Sequence, residues 1–136
     1  AMAEVMFDHF RKQNRGHFVG ISSTSGLRGG ADNPIYAGAK AAIMTYMEGK
    51  RNYMIQNNID VQVTDIVPGW VAVEHSPLGQ DTAAYCEITC EQAGQEILAA
   101  IKNKTKQAII PSSIVVLAFL RKYLPDFLYN NYFSWL

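Results

Sequence analysis

At 136 residues the chain suffices for one domain and not for two. Hydrophobic residues make up 49% and charged ones 18%, which supports a packed core and argues against wholesale disorder. Twelve Lys and Arg balance twelve Asp and Glu, so the basic excess that lets a nucleic-acid binder neutralise phosphates is lacking.

The first pattern is amphipathic: Met2, Val5, Met6 and Phe10 recur at helical spacing over residues 2–14, with no capping residue ahead of them. Such an opening is expected of a piece of a longer domain. Asn14, Arg15 and Gly16 end this helix, and residues 17–21 (HFVGI) form a short β-prone run. A loop rich in Ser and Gly leads to Asn33 and Pro34, a cap and first-turn pair for a helix over 35–56, which stops at Asn57 and Asn58. A second strand is predicted over 59–67, ended by Pro68 and Gly69, and residues 70–88 read as a loop with a short helical piece. Thr89 and Gln92 frame a capping box that opens a helix reaching about Asn103. Residues 106–110 form a third strand and 114–124 a last apolar helix. The longest apolar stretch, 108–120, is interrupted by Pro111, Ser112 and Ser113 and is shorter than the roughly 20 residues a bilayer requires. With two cysteines and no leader-like opening, a reducing cytoplasm is the expected compartment.

Helices alternating with strands predict an α/β fold, with three adjacent parallel strands and crossover helices on the faces. Three strands are few, and the first is left with a bare edge. Residues 1–136 therefore read as a single unit that is half of a larger domain, ending in an apolar, aromatic tail over 111–136.

Open parallel sheets bind ligands beyond the carboxyl ends of their strands. The loop after the first strand holds Ser22, Ser23 and Ser25, and the helix behind it carries Tyr36 and Lys40, four apart and so on one face. A hydroxyl, a phenol and an ammonium would converge at that edge. Tyr46 and Lys50 repeat the spacing, but thirteen residues before Tyr46 stands Asn33, whereas Ser23 stands thirteen before Tyr36. The mid-helix pair is read as structural. The run Gly26, Gly29, Gly30 matches neither G-x-G-x-x-G nor a Gly-Lys-Ser/Thr loop and is read as a flexible turn. Cys86 and Cys90 have Glu87, Glu91 and His75 nearby but no further ligand at zinc-like spacing, so no metal is expected. His9, His17 and His75 fit no triad, and without a G-x-S-x-G elbow a serine hydrolase is not supported.

GHFVGISSTSGLRGGADNPIYAGAKAAI followed by IVPGWV resembles the back half of the short-chain dehydrogenase/reductase family across residues 16–73. The features are a strand ending in Ser-Ser, Tyr-x-x-x-Lys thirteen residues on, alanines around the Lys, and a strand ending in Pro-Gly. The resemblance implies a doubly wound, Rossmann-like parallel sheet and hydride transfer between NAD or NADP and an apolar carbonyl or alcohol substrate. It assigns Tyr36 as proton donor or acceptor and as a cofactor contact, Lys40 as its electrostatic partner and holder of the nicotinamide ribose, and Ser23 as hydrogen-bond donor to the substrate oxygen. A cation one turn from a phenol favours its ionised form. Ser22 and Ser25 remain rivals for the serine role. Pro68, Gly69 and Val71 would line the nicotinamide side.

Helices 2–14 and 35–56 are implied as the contacts of a homo-oligomer. The sequence departs from the family pattern at Val73, where a threonine is common, and contains no glycine-rich pyrophosphate turn; the piece alone is expected to be inactive. Seven of its 15 aromatics lie in the last 18 residues, beside Arg121 and Lys122. They are read as cover for a missing half or a partner subunit, as a greasy substrate wall, or as a peripheral membrane contact. The rival classes are a non-catalytic interaction module of the same shape, with a membrane surface as one place for it, and a small flavodoxin-like phosphate or flavin binder.

Overall fold

Five consecutive residues of the second predicted strand, Val63 to Val67, are buried. A strand can be buried this way only with neighbours on both edges and helices on both faces. The computed structural model, which describes residues 2–72 and 87–133, provides both. Its elements are α1 (Met2–Gln13), β1 (Gly16–Ile21), a 3-10 turn (Thr24–Leu27), α2 (Pro34–Gln56), β2 (Val61–Pro68), β3 (Trp70–Ala72), β4 (Glu87–Thr89), α3 (Cys90–Lys102), β5 (Gln107–Ile110), a second 3-10 turn (Ser112–Ile114) and α4 (Val115–Tyr123). A helical turn at Asp126–Leu128 and a π-helical turn at Tyr129–Phe133 follow. Val73, His75 and Cys86, singled out above, lie outside the described residues, as does Trp135 of the aromatic tail.

The sheet is parallel in the order β1-β2-β5, with Phe18 opposite Val63 and Val67 opposite Ile109. Alternation along β2 divides its side chains between two cores. Val61 and Val63 pack with Phe7 of α1 and with Met47 and Met54 of α2, where Phe7 also meets Phe18 at a ring-centroid distance of 4.3 Å. Ile66 points to the opposite face, against Ala93 and Ala100 of α3 and Ile110 of β5. The fold is a doubly wound α/β sheet.

Local signals mark the helix starts. Asn33 Oδ1 accepts the Tyr36 amide ahead of Pro34, and both arms of the Thr89–Gln92 capping box are formed. The predicted loop over 70–88 is corrected at both ends: β3 and β4 pair in parallel, Trp70 opposite Glu87. Pairing lets Val71 and Ile88 pack against the core around Ile66, so burial stabilises two strands too short to stand alone. The flexible turn read into Gly26 is also corrected, because the chain winds into a 3-10 turn over Thr24–Leu27. The aromatic tail divides. Tyr129 is buried against its own chain, while Phe119, Tyr123 and Phe127 stay exposed. No helix among the described residues is long and apolar enough to cross a membrane.

Thr64 and Asp65 are polar residues buried in the central strand. Thr64 Oγ1 lies 2.8 Å from His17 Nε2, and Asp65 Oδ2 accepts from Gln107 Nε2 at 3.0 Å. Burial, with a smaller contribution from the charge of Lys104, holds His17 below its ordinary value of 6.5. The unfolded chain therefore takes up a proton first as pH falls, so stability is complete above 6.5 and declines below it. The denaturation midpoint of His17→Asn is expected to fall less than that of the native chain between about pH 7 and pH 5. Equal slopes would show that His17 titrates alike in the folded and unfolded states.

Candidate active site

The carboxyl ends of β1 and β2 bring the singled-out residues to one edge of the sheet. Ser22 and Ser23 directly follow β1, and their hydroxyls have different tasks. Ser22 is buried, and both its amide and its hydroxyl donate to the Ile66 carbonyl, at 2.8 and 3.2 Å. That hydroxyl is committed to holding β1 on β2. Ser23 Oγ instead accepts from the Ser25 amide at 3.2 Å as N-cap of the 3-10 turn, which leaves its own proton available to another acceptor.

Lys40 reaches back from α2 to the same place. Its Nζ donates to the Ile21 carbonyl at 3.2 Å, at the last residue of β1, and lies 5.6 Å from the centroid of the Tyr36 ring. An ammonium has three donors, so two remain after this bond. Tyr36 is 43% exposed in the first turn of α2, where its phenol is open to a ligand. Lysine and tyrosine thus share one helix face beside the strand end from which Ser23 emerges.

The second Tyr-x-x-x-Lys pair serves packing. Tyr46 Oη donates to Glu4 Oε1 at 2.7 Å and Lys50 Nζ to Glu4 Oε2 at 2.6 Å, which ties α2 to α1. Burial, then the hydrogen bond to Glu4, pushes the Tyr46 phenol up to about 12. A group held so firmly protonated is unsuited to exchanging protons near neutral pH. Tyr46→Phe is expected to cost about 0.5–1.5 kcal/mol in chemical denaturation, the worth of one hydrogen bond.

The loop after β2 closes the edge from the other side. The Gly69 amide donates to the Ile110 carbonyl at 2.7 Å, and a Cβ on Gly69 would stand 2.6 Å from Ile114 Cδ1 and 3.9 Å from Thr24 Cγ2. A side chain there would press on the tip of Ile114, which must shift to admit it, and would meet Thr24 only at ordinary contact distance. Pro68 ends β2 opposite Ile110. Val71 turns its side chain into the core around Ile66, so its backbone is what remains for a ligand.

Two residues without an assigned role complete the arrangement. A Cβ on Gly26 would lie 2.7 Å from the Ala41 nitrogen and 2.8 Å from the Lys40 carbonyl carbon. The absence of a side chain lets the serine turn rest on the backbone of α2 at Lys40. Arg28, one position past the turn, bonds to the C-terminal segment. Neither contact has a signature in spacing; the one hint is a lone arginine in a loop of small residues. Among the described residues no group of three or more His, Cys, Asp or Glu could hold a metal ion.

Residues 1–84 match the family model described as short chain dehydrogenase. The chain belongs to the short-chain dehydrogenase family. An uncharacterized oxidoreductase of Myxococcus xanthus is 41% identical over 63 residues, which are 46% of this chain and 24% of that protein. Among solved structures, a short chain dehydrogenase from Burkholderia cenocepacia in complex with NADP superposes with a TM-score of 0.69 at 19% identity. It covers 88% of this chain and 49% of its own. A short chain dehydrogenase/reductase from Burkholderia phymatum in complex with NAD gives 0.63 at 18% identity, covering 82% and 48%. At such identities the likeness is one of fold. This short-chain dehydrogenase chain spans about a quarter of the Myxococcus protein and about half of each solved structure.

Proposed function

We propose that these residues form the C-terminal half of an oxidoreductase domain that moves a hydride between NAD or NADP and an apolar carbonyl or alcohol substrate. The observation that carries this reading is the placement of Lys40, bonded to the end of β1 and 5.6 Å from the Tyr36 ring, beside a serine whose proton is unspent. When bound, the nicotinamide dinucleotide supplies or accepts the hydride.

The donor set suits such a group. The two spare donors of Lys40 match the vicinal hydroxyls of a ribose, and Pro68, Gly69 and the backbone of Val71 would line the nicotinamide side. Tyr36 delivers the proton to the substrate oxygen or removes it, with Lys40 on the same helix face. Ser23 donates to the same oxygen as negative charge develops there, in the manner of an oxyanion hole. The bond of the Ser22 hydroxyl to the Ile66 carbonyl favours Ser23 over Ser22 for that task. Complexes of the two Burkholderia proteins with NADP and NAD support a dinucleotide of either kind.

Exposed apolar side chains on the paired helices, among them Met2, Val5, Ile35 and Ile55, support a homo-oligomer assembled through α1 and α2. The full-length protein is expected to consume NADH or NADPH when supplied with apolar ketones, whereas residues 1–136 alone, which contain no G-x-G-x-x-G turn, are not. Absence of turnover with both cofactors, over ketones and the matching alcohols, would remove the proposal.

A further inference from the structure

The turn that carries Ser23 is held at both ends. At its start Ser23 accepts twice, the Ser25 amide on its hydroxyl at 3.2 Å and the Gly26 amide on its carbonyl at 2.9 Å. At its far end Arg28 crosses to a segment more than ninety residues away in sequence. Its guanidinium donates to the carbonyls of Arg121 at 3.2 Å and Leu124 at 2.6 Å, pairs with the carboxylate of Asp126, and lies 4.2 Å from the ring centroid of Tyr129.

Burial shows which of these partners shield it. The Arg28 side chain is 16% exposed and that of Asp126 is 91% exposed, so the carbonyls and the Tyr129 ring enclose the guanidinium more than the acid does. The two carbonyls belong to the end of α4, where the negative end of the helix dipole attracts a cation. A planar fork of donors meets several acceptors and an aromatic face together, which a lysine cannot do.

We infer that Arg28 is a positioning residue that transmits the seating of the C-terminal segment to the Ser23 hydroxyl. The middle of the turn is seated on α2 at Gly26. Arg28 sets its rotation about that contact, and a turn of four residues is too short to absorb a displacement at one end. The consequence for turnover rests on the function proposed above; the coupling itself does not.

The test uses the full-length protein with Arg28→Ala, Arg28→Lys and Ser23→Ala. In Arg28→Ala the Ser25 and Gly26 amides, which bond to Ser23, are expected to lose protection from hydrogen exchange. The amides of Leu124 and Tyr129 should lose it alongside. Arg28→Lys should shift all four in the same direction and less. With Ser23 misplaced, kcat is expected to fall about 10- to 100-fold at unchanged KM for the cofactor. Adding Ser23→Ala to Arg28→Ala should slow turnover no further than Ser23→Ala alone. Loss of protection confined to Leu124 and Tyr129, or effects of the two substitutions that multiply, would overturn the inference. If Ser23→Ala leaves turnover intact, the proposed role of Ser23 falls instead, and the exchange of Ser25 and Gly26 still decides the coupling.

Discussion

Replacing Tyr36 by phenylalanine in the full-length protein is expected to lower kcat/KM by about 10²- to 10⁴-fold, the usual contribution of a positioned acid or base. That loss corresponds to about 3–5 kcal/mol of transition-state stabilisation. The substitution removes one oxygen from an open side chain, and the Asn33 cap on the Tyr36 backbone amide is untouched. Stability should therefore stay near that of the native protein. Tyr46→Phe provides the contrast. Its hydroxyl is engaged by Glu4, so it should lose stability and keep turnover. Matching steady-state kinetics and denaturation curves of the two variants would reverse the assignment if Tyr46→Phe were the slower enzyme.

Gly26→Ala is expected to be the most damaging of the small substitutions in the serine turn. The new methyl would meet the main chain of Lys40 and Ala41 at 2.7–2.8 Å, and backbone inside a helix cannot rotate out of the way. Overpacking of this kind costs about 1–3 kcal/mol, occasionally more. The turn can relieve it only by lifting from α2, which separates Ser23 from Lys40. Turnover should fall together with the urea midpoint. Three positions on, a Cβ at Gly29 meets nothing within 4 Å, so Gly29→Ala should change stability by no more than about 0.5 kcal/mol. Equal midpoints for the two variants would mean that the turn does not rest on the helix.

The features legible from residue order are those whose partners lie within one helical turn or along one strand. The Thr89–Gln92 capping box, the Asn33 cap and the shared face of Tyr36 and Lys40 each span three or four positions, and backbone geometry alone brings those side chains together. The alternation of helices with strands announced the parallel sheet, and the burial of β2 on both faces agrees with it. The two ends of the loop predicted over 70–88 form strands instead, because β3 and β4 gain stability only by laying Val71 and Ile88 on the core around Ile66.

Residue order by itself determined the α/β alternation and the parallel sheet, since both follow from periodicity and local spacing. Tertiary structure alone decided which serine hydroxyl is unspent, why Gly26 has no side chain, and what holds Arg28. The Ile66 carbonyl that occupies Ser22 lies 44 positions away, and the acceptors around Arg28 lie 93 to 98 away. Nothing in local geometry encodes such meetings; they exist only once the strands have paired and the helices have packed.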